Sequence, residues 1–489
     1  MAARSGRTIP ALTLGAATAL LAALTPAPAS AADDPLRPYT TQQPRWERCD
    51  TEQPATLECA TIAAPLDYAD PAGRRIDLTI SRIRTDDTRR RHGVLLMNPG
   101  GPGSPGLSMP ADMAQILPAQ VRERYDLVGF DPRGVGRSSP LTCGLTEDER
   151  TVLHPYHDAT FPKDVQRART VADKCRAKAA DVLPHLTTRN TARDMDLIRA
   201  VLGERKISYF GFSYGTYLGS VYTQLFPRRS DRIVLDSAVD PALAWRGTLL
   251  AWPARAELAF TRWSEWAAER DATHHLGATP AAVRRTFWDL IAHADRTPVP
   301  TTGAALDGDA IRAEYRAFVH PAAATDRITA LKAAAAGGPP APAAPDELPG
   351  DNEMSAAWAV FCGDTRTWPR DPEQYRRDAR RERARHPLAG DLAAGIQPCA
   401  FWPTEAREDA TTVDNTAGAL IVQNEWDPQA TLDLAHGMHR ALHGSRMITV
   451  TGGEGHGVIV AGPSCADTPA LHYLTTGNLP ATDLTCPAA

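Results

Sequence analysis

Residues Lys206–Tyr217, KISYFGFSYGTY, constrain the fold more than any other stretch of the chain. A short run of β-branched and aromatic residues, Ile207–Phe210, ends in Gly211-Phe212-Ser213-Tyr214-Gly215. A helix-like segment follows at once, from Thr216 to about Phe226, and Pro227 stops it. Gly-x-Ser-x-Gly between a strand and a helix describes a sharp turn. Small residues on either side let the chain bend, and the serine hydroxyl stands exposed above a sheet edge. The five-residue pattern alone is a weak signal at this length and glycine content; its strand–turn–helix setting gives it weight.

The surroundings supply the rest of such a sheet. Strand-like runs precede the motif at Leu78–Ile83, Gly93–Met97 and Tyr125–Phe130. Asn190–Leu202 has helical periodicity, with Met195, Ile198, Val201 and Leu202 on one face. Ile233–Leu235 makes a further strand that ends at Asp236. Strands alternating with helices predict an α/β fold with a mostly parallel sheet covered on both faces, and the apolar, non-alternating strands agree. From Ala242 to about Pro403 the alternation stops. This stretch is rich in Ala, Arg and Trp and helical in pattern, as in Trp245–Arg270 and Ala281–Ala294, with Ala333–Pro349 expected as a loop or flexible linker. The strand signal returns at Ala419–Gln423 and Arg446–Val450. The expected organisation is a catalytic domain in two parts, 40–241 and 405–489, with a helical cap over 242–404. The cap would cover the carboxyl edge of the sheet, where open α/β folds bind ligands.

The 489 residues carry a net charge of −5 and no Lys/Arg block, which excludes a nucleic-acid footprint. The N-terminus reads as a signal peptide over residues 1–32: Arg4 and Arg7, then apolar Ala11–Leu24, then Ala29-Ser30-Ala31 as a cleavage site. The apolar run is short for a membrane span and ends in Pro26 and Pro28, and no Cys follows it for lipid attachment. A secreted, extracellular protein without a membrane anchor is expected. The cysteines fall as near neighbours, Cys49/Cys59, Cys143/Cys175, Cys362/Cys399 and Cys465/Cys486. An even count in an exported chain argues for disulfides, although spacing alone does not fix their connectivity. Zinc ligation would call for Cys-x-x-Cys or His-x-x-x-His clusters, which these cysteines lack, so no metal and no cofactor are expected.

A nucleophilic serine needs a base, and the base needs an orienting carboxylate, each in a loop just past a strand. One histidine lies directly after the last sheet strand: His456, in Gly452-Gly453-Glu454-Gly455-His456-Gly457. His436, His439, His443 and His472 sit on helical stretches and read as surface or packing residues. Asp427, in Asn424-Glu425-Trp426-Asp427-Pro428, follows Ala419–Gln423 and is the candidate acid. Glu425 is a rival, as are Asp236 and Asp240 one strand sooner. Acyl transfer also needs two N–H groups for the oxyanion. The candidates are Tyr214 and, in the loop Asn98-Pro99-Gly100-Gly101-Pro102-Gly103, Gly101. In Gly129–Ser138 the glycine spacing does not suit a dinucleotide loop, and Asp131 and Arg133 are expected to pair and hold that loop under the site.

Together these segments resemble the α/β-hydrolase superfamily and, more narrowly, the secreted actinobacterial tripeptidyl aminopeptidases, relatives of the proline iminopeptidases. The resemblance rests on Asn98–Gly103, Gly129–Ser138, Thr188–Leu202, Gly211–Thr216, Asn424–Pro428, Gly455–Gly457 and Cys465–Cys486 with Tyr473 and Leu479-Pro480 between. It implies a serine exopeptidase that removes short peptides, often tripeptides, from free N-termini, here expected as a monomer. Such an enzyme must recognise an α-ammonium group, and the cap carboxylates Glu353 and Asp364 are the candidates. Two departures stand out. Trp426 and Gln429 take places where smaller or hydroxyl residues are expected, and Pro99 stands where the iminopeptidase loop opens with His, which argues against simple prolyl specificity. The rivals are an esterase on the same Ser/Asp/His set, single-residue iminopeptidase release, and a catalytically silent binding protein on the same fold.

Overall fold

Long apolar runs set the middle of the sheet. The structure, a computed structural model, describes residues 34–343, 348–404 and 406–488 together with Met1, Ala3 and Gly6. The expected signal peptide, those three residues apart, lies outside the described residues. The strands are β1 Glu47–Arg48, β2 Glu58–Pro65, β3 Arg75–Ile83, β4 Gly93–Asn98 and β5 Tyr125–Phe130. They continue with β6 Ile207–Phe212, β7 Ser230–Asp236, β8 Ala419–Trp426, β9 Arg446–Glu454 and β10 Leu484–Pro487. They form one sheet in the order β1-β2-β3-β5-β4-β6-β7-β8-β9-β10. β1, β2, β3 and β5 pair antiparallel in turn, and every neighbouring pair from β5 to β10 is parallel.

β4 is buried at every residue, and its side chains alternate between two cores. Leu95 and Met97 join Phe210, Val234 and Val422 on one face, while Val94 and Leu96 join Tyr209, Leu235 and Ile421 on the other. From β4 the chain steps to β5 on one side and then returns to β6 on the other. Loops leaving β4 and β6 therefore diverge, and the crevice between them is where α/β sheets bind ligands. The register pairs Asn98 with Gly211, so both loops emerge at the same height.

The segment between β7 and β8 packs in two ways. Helices Arg246–Ala268, Pro280–Ala294, Gly308–Ala313 and Pro321–Ala335 close around a core of their own that includes Phe260, Trp263, Phe287, Phe318 and Leu331. Helix Asp351–Gly363 instead sends Met354, Ala357, Trp358 and Cys362 into the core of the sheet. The stretch expected as a loop from Ala333 begins inside the Pro321–Ala335 helix, and residues 344–347 lie outside the described residues. Four disulfides join Cys49–Cys59, Cys143–Cys175, Cys362–Cys399 and Cys465–Cys486. Among the described residues no helix is long and apolar enough to cross a membrane.

The expected Asp131/Arg133 pair is not formed. Arg133 turns away to Asp194 on helix Thr188–Val201, with Nε 2.7 Å from Oδ2 and Nη2 2.6 Å from Oδ1, both side chains about 1% exposed. It also donates to the carbonyls of Leu66, His185 and Pro65. Asp131 accepts the N–H groups of Gly106 and Arg137. A planar guanidinium needs several acceptors when buried, and a carboxylate with three carbonyls supplies them where Asp131, already filled by backbone donors, cannot. Arg133→Met leaves the Asp194 carboxylate buried without its cation, so we expect a loss of about 3–5 kcal/mol of unfolding free energy, read by urea denaturation.

Candidate active site

The turn after β6 is built on missing side chains. Ser213 has φ 56° and ψ −121°, a conformation costly for any residue but glycine. A Cβ on Gly211 would stand 2.4 Å from the Gly215 carbonyl oxygen, and one on Gly215 would stand 2.7 Å from that of Asn98. The strain is held by hydrogen bonds: Ser213 N–H donates to the Asp236 carbonyl at 3.0 Å, and Thr216 Oγ1 donates to the Ser213 carbonyl. Tyr209 Oη ties down the Gly215 carbonyl at 2.8 Å. Helix Tyr214–Leu225 begins at once, and the first turn of a helix leaves its N–H groups without intrahelical partners.

The loop after β4 lies against this turn. Gly100, Gly101 and Gly103 all have φ near 100°, where a Cβ is strained. A Cβ on Gly100 would meet the Phe212 carbonyl oxygen at 2.6 Å and Ser213 Cβ at 3.0 Å. The Gly100 N–H is taken by Asn98 Oδ1. Among the described residues, the N–H groups of Gly101 and Tyr214 have no acceptor.

His456 follows β9, and Asp427 follows β8. Nδ1 of His456 lies 2.8 Å from Oδ2 and 3.0 Å from Oδ1 of Asp427, whose side chain is wholly buried. Asp427 also accepts the N–H groups of Gln429 and Ala430. The ring of Phe212, next to Ser213, stands 4.6 Å from the imidazole centroid to centroid. Thus the three residues follow β6, β8 and β9 at one edge of the sheet, with β7 between the first two. Asn424, to which the sequence assigns no role, holds the histidine loop by donating Nδ2 to the carbonyls of Gly455 and Gly457. Gln423 does the same for the acid loop, donating Nε2 to the carbonyls of Asn424 and Ala430. Polar residues closing an apolar strand are the signal that points to both.

The rival acids have other partners. Asp236 accepts three backbone N–H groups from Val458, Ile459 and Val460, and burial pushes its carboxyl up to about 6. Asp240 caps the turn at Ala242, and Glu425 accepts the Gly452 N–H. Of the two carboxylates expected to bind an α-ammonium group, Glu353 lies against the loop after β4. Ser104 Oγ donates to its Oε1 at 2.6 Å, and its carbonyl lies 2.2 Å from where a Gly103 Cβ would be. Asp364 is buried behind helix Tyr214–Leu225 and accepts from Thr188 N–H, Thr188 Oγ1 and Trp245 Nε1. Thr188 Oγ1 in turn meets Tyr214 Oη at 2.9 Å. The helices between β7 and β8 reach the histidine loop through Arg262 and His320, which both face Glu454, while Trp426 stacks under Arg255 and Arg262. Among the described residues no cluster of His, Cys, Asp and Glu could hold a metal ion.

Burial pushes the Asp364 carboxyl up to about 6. A folded pKa raised above the ordinary carboxylate value contributes stability below that value, and the contribution is lost as pH rises through the folded pKa. The melting temperature of the wild type relative to Asp364→Asn should therefore fall between about pH 4 and about pH 7, measured by scanning calorimetry at each pH.

Comparison with known proteins agrees with this geometry. A family model described as "alpha/beta hydrolase fold" matches residues 93–286, and one described as "TAP-like protein" matches residues 386–486. The chain is 36% identical to a protein named tripeptidyl aminopeptidase from Streptomyces lividans, covering 90% of this chain and 86% of that one. It is 29% identical to "Serine protease Hip1" of Mycobacterium tuberculosis, over 92% of both chains. To "Carboxylesterase B" of the same organism it is 32% identical, over 93% of this chain and 92% of that one. With ten strands in this order, a serine turn at the topological switch and relatives alike along nearly their whole length, the chain belongs to the α/β-hydrolase family, among its TAP-like proteins.

Proposed function

We propose that the protein is a secreted serine exopeptidase that releases short peptides, tripeptides foremost, from free N-termini. Ser213 loses its proton to His456 Nε2 as it attacks the scissile carbonyl, and Asp427 orients the imidazole and stabilises its cation. The N–H groups of Gly101 and Tyr214 receive the oxyanion. His456 then protonates the leaving amine, and water, activated by the same imidazole, hydrolyses the acyl-enzyme. Pairing of Asp427 with Nδ1 supports this order, because it leaves Nε2 to face the serine. The helical segment 242–404 serves as the cap that limits how much peptide enters.

The observation that carries the peptidase reading is Glu353. Its carboxylate, only partly buried, sits beside the glycine loop in the first turn of helix Asp351–Gly363. An acyl group held between that loop and Ser213 would present its free α-ammonium to a carboxylate there. The tripeptidyl aminopeptidase among the relatives points the same way, and the four disulfides fit an oxidising, extracellular setting. The relative named carboxylesterase B favours a second reading, ester hydrolysis on the same residues, in which Glu353 has no ammonium to bind.

The two readings separate on a tripeptide anilide assayed with a free and an acetylated amine. We expect the free amine to be turned over about 10–100-fold faster, the worth of one charge-assisted hydrogen bond. Glu353→Gln should raise KM for it by a similar factor while leaving fluorophosphonate labelling of Ser213 intact, and Ser213→Ala should abolish both hydrolysis and labelling. Equal rates on the blocked substrate, or turnover of esters only, would favour the esterase.

A further inference from the structure

The dipeptide Asp236-Ser237, at the end of β7, touches every segment that carries a reacting group. The Asp236 carbonyl accepts the N–H of Ser213 at 3.0 Å. Its carboxylate, completely buried, accepts Val458 N–H at 2.9 Å on Oδ1 and Ile459 N–H at 2.8 Å on Oδ2, with Val460 N–H at 3.3 Å also on Oδ2. Those three residues begin two positions after His456. Ser237 Oγ accepts the N–H of Gly457, the residue next to the histidine, at 2.9 Å. Ser237 N–H donates to the Val422 carbonyl on β8, the strand that leads to Asp427. The next residue, Ala238, donates its N–H to Gln423 Oε1, and Gln423 spans the acid loop through the carbonyls of Asn424 and Ala430.

The backbone is strained where these contacts meet. Ser237 has φ 60° although it is not glycine, as does Ser213 with φ 56°. Two non-glycine residues in left-handed conformation, on adjacent strand ends and joined through one intervening residue, require surroundings that over-determine them. A buried carboxylate with no cationic side chain in hydrogen-bond contact is also expensive, and three N–H donors from a single loop are what compensate it. An apolar or amide side chain would fill the same space, but it could not accept three N–H groups.

We propose that Asp236 and Ser237 are positioning residues that fix Ser213, His456 and Asp427 relative to one another, Asp236 through the loop carrying the imidazole and Ser237 through Gly457 and β8. Neither residue touches substrate. Their effect is on the fraction of time the imidazole stands where it can take the serine proton. The proposal rests on the serine-hydrolase reading of the site but not on the identity of the substrate.

The test compares Asp236→Asn and Ser237→Ala with the wild type in the full chain, at matched amounts of folded protein judged by melting temperature. Two rates are read: kcat and KM on the free-amine tripeptide anilide, and the second-order rate of fluorophosphonate labelling of Ser213. Misplacement of a reacting group by about 1 Å costs about 10²-fold. Asp236→Asn should therefore lower kcat and labelling together by about that factor, with KM within about twofold. Ser237→Ala, which removes one anchor and keeps the backbone, should lower both by about tenfold. Unchanged kcat and labelling in folded Asp236→Asn would overturn the proposal. So would a rise in KM with kcat intact, which would place Asp236 in substrate binding. If the wild type labels but does not cleave the anilide, the peptidase reading fails, and the labelling rates still decide the role of Asp236.

Discussion

The arrangement of the site depends on how closely two pieces of backbone approach at the switch point of the sheet. The loop after β4 and the turn after β6 touch with no side chain between them, since a Cβ on Gly100 or Gly215 would overlap a carbonyl of the opposite segment. Hydrogen-bonded register holds them at one height, pairing Asn98 with Gly211 and Phe212 with Asp236. A packed interior transmits a displacement rather than absorbing it, so the spacing of these backbones reaches every group that leans on them. The free N–H groups of Gly101 and Tyr214, the hydroxyl of Ser213 and the ring of Phe212 against His456 all inherit their places from that contact.

How much of this could be read from the chain divides along physical lines. Buried parallel strands are long apolar runs, so β4 to β9 and the α/β class stood out. β2, with its Ala-rich ECATIAAP, did not. Helix Phe161–Ala179 was silent for a different reason: it is dominated by charge, and its buried face consists of Phe161, Val171 and small residues. Ser213, Asp427 and His456 stand out as candidates because each follows a strand and sits among turn residues, and the structure sets Asp427 against His456. Partners distant in sequence were not legible. Nothing near Arg133 announces Asp194, 61 positions away, and nothing near Asp236 announces the N–H groups of residues 458–460. Local pattern says that a residue is polar and buried, whereas only the fold says what satisfies it.

Asp364 and Glu353 show the same distinction within one helix. They lie at opposite ends of Asp351–Gly363, and sequence gave no ground to separate them. Asp364 is closed in by Thr188 and Trp245, a setting that makes it part of the support behind Tyr214. Glu353 meets one hydroxyl, that of Ser104, and keeps acceptor capacity toward the crevice. Burial and the number of donors already bound, rather than residue type, distinguish a framework carboxylate from one available to a ligand.

The placement of the cross-links has a consequence for how such a protein diversifies. Every disulfide joins residues of the sheet and the segments packed on it, and none includes a residue of the helices between Arg246 and Ala335. Those helices have a core of their own and meet the histidine loop through Arg262 and His320, with Arg262 also over the ring of Trp426 at the end of β8. The cross-links and the helices between Arg246 and Ala335 thus occupy different parts of the chain. Substitutions can accumulate in the noncovalently attached helices while the stapled frame keeps the strand ends in register.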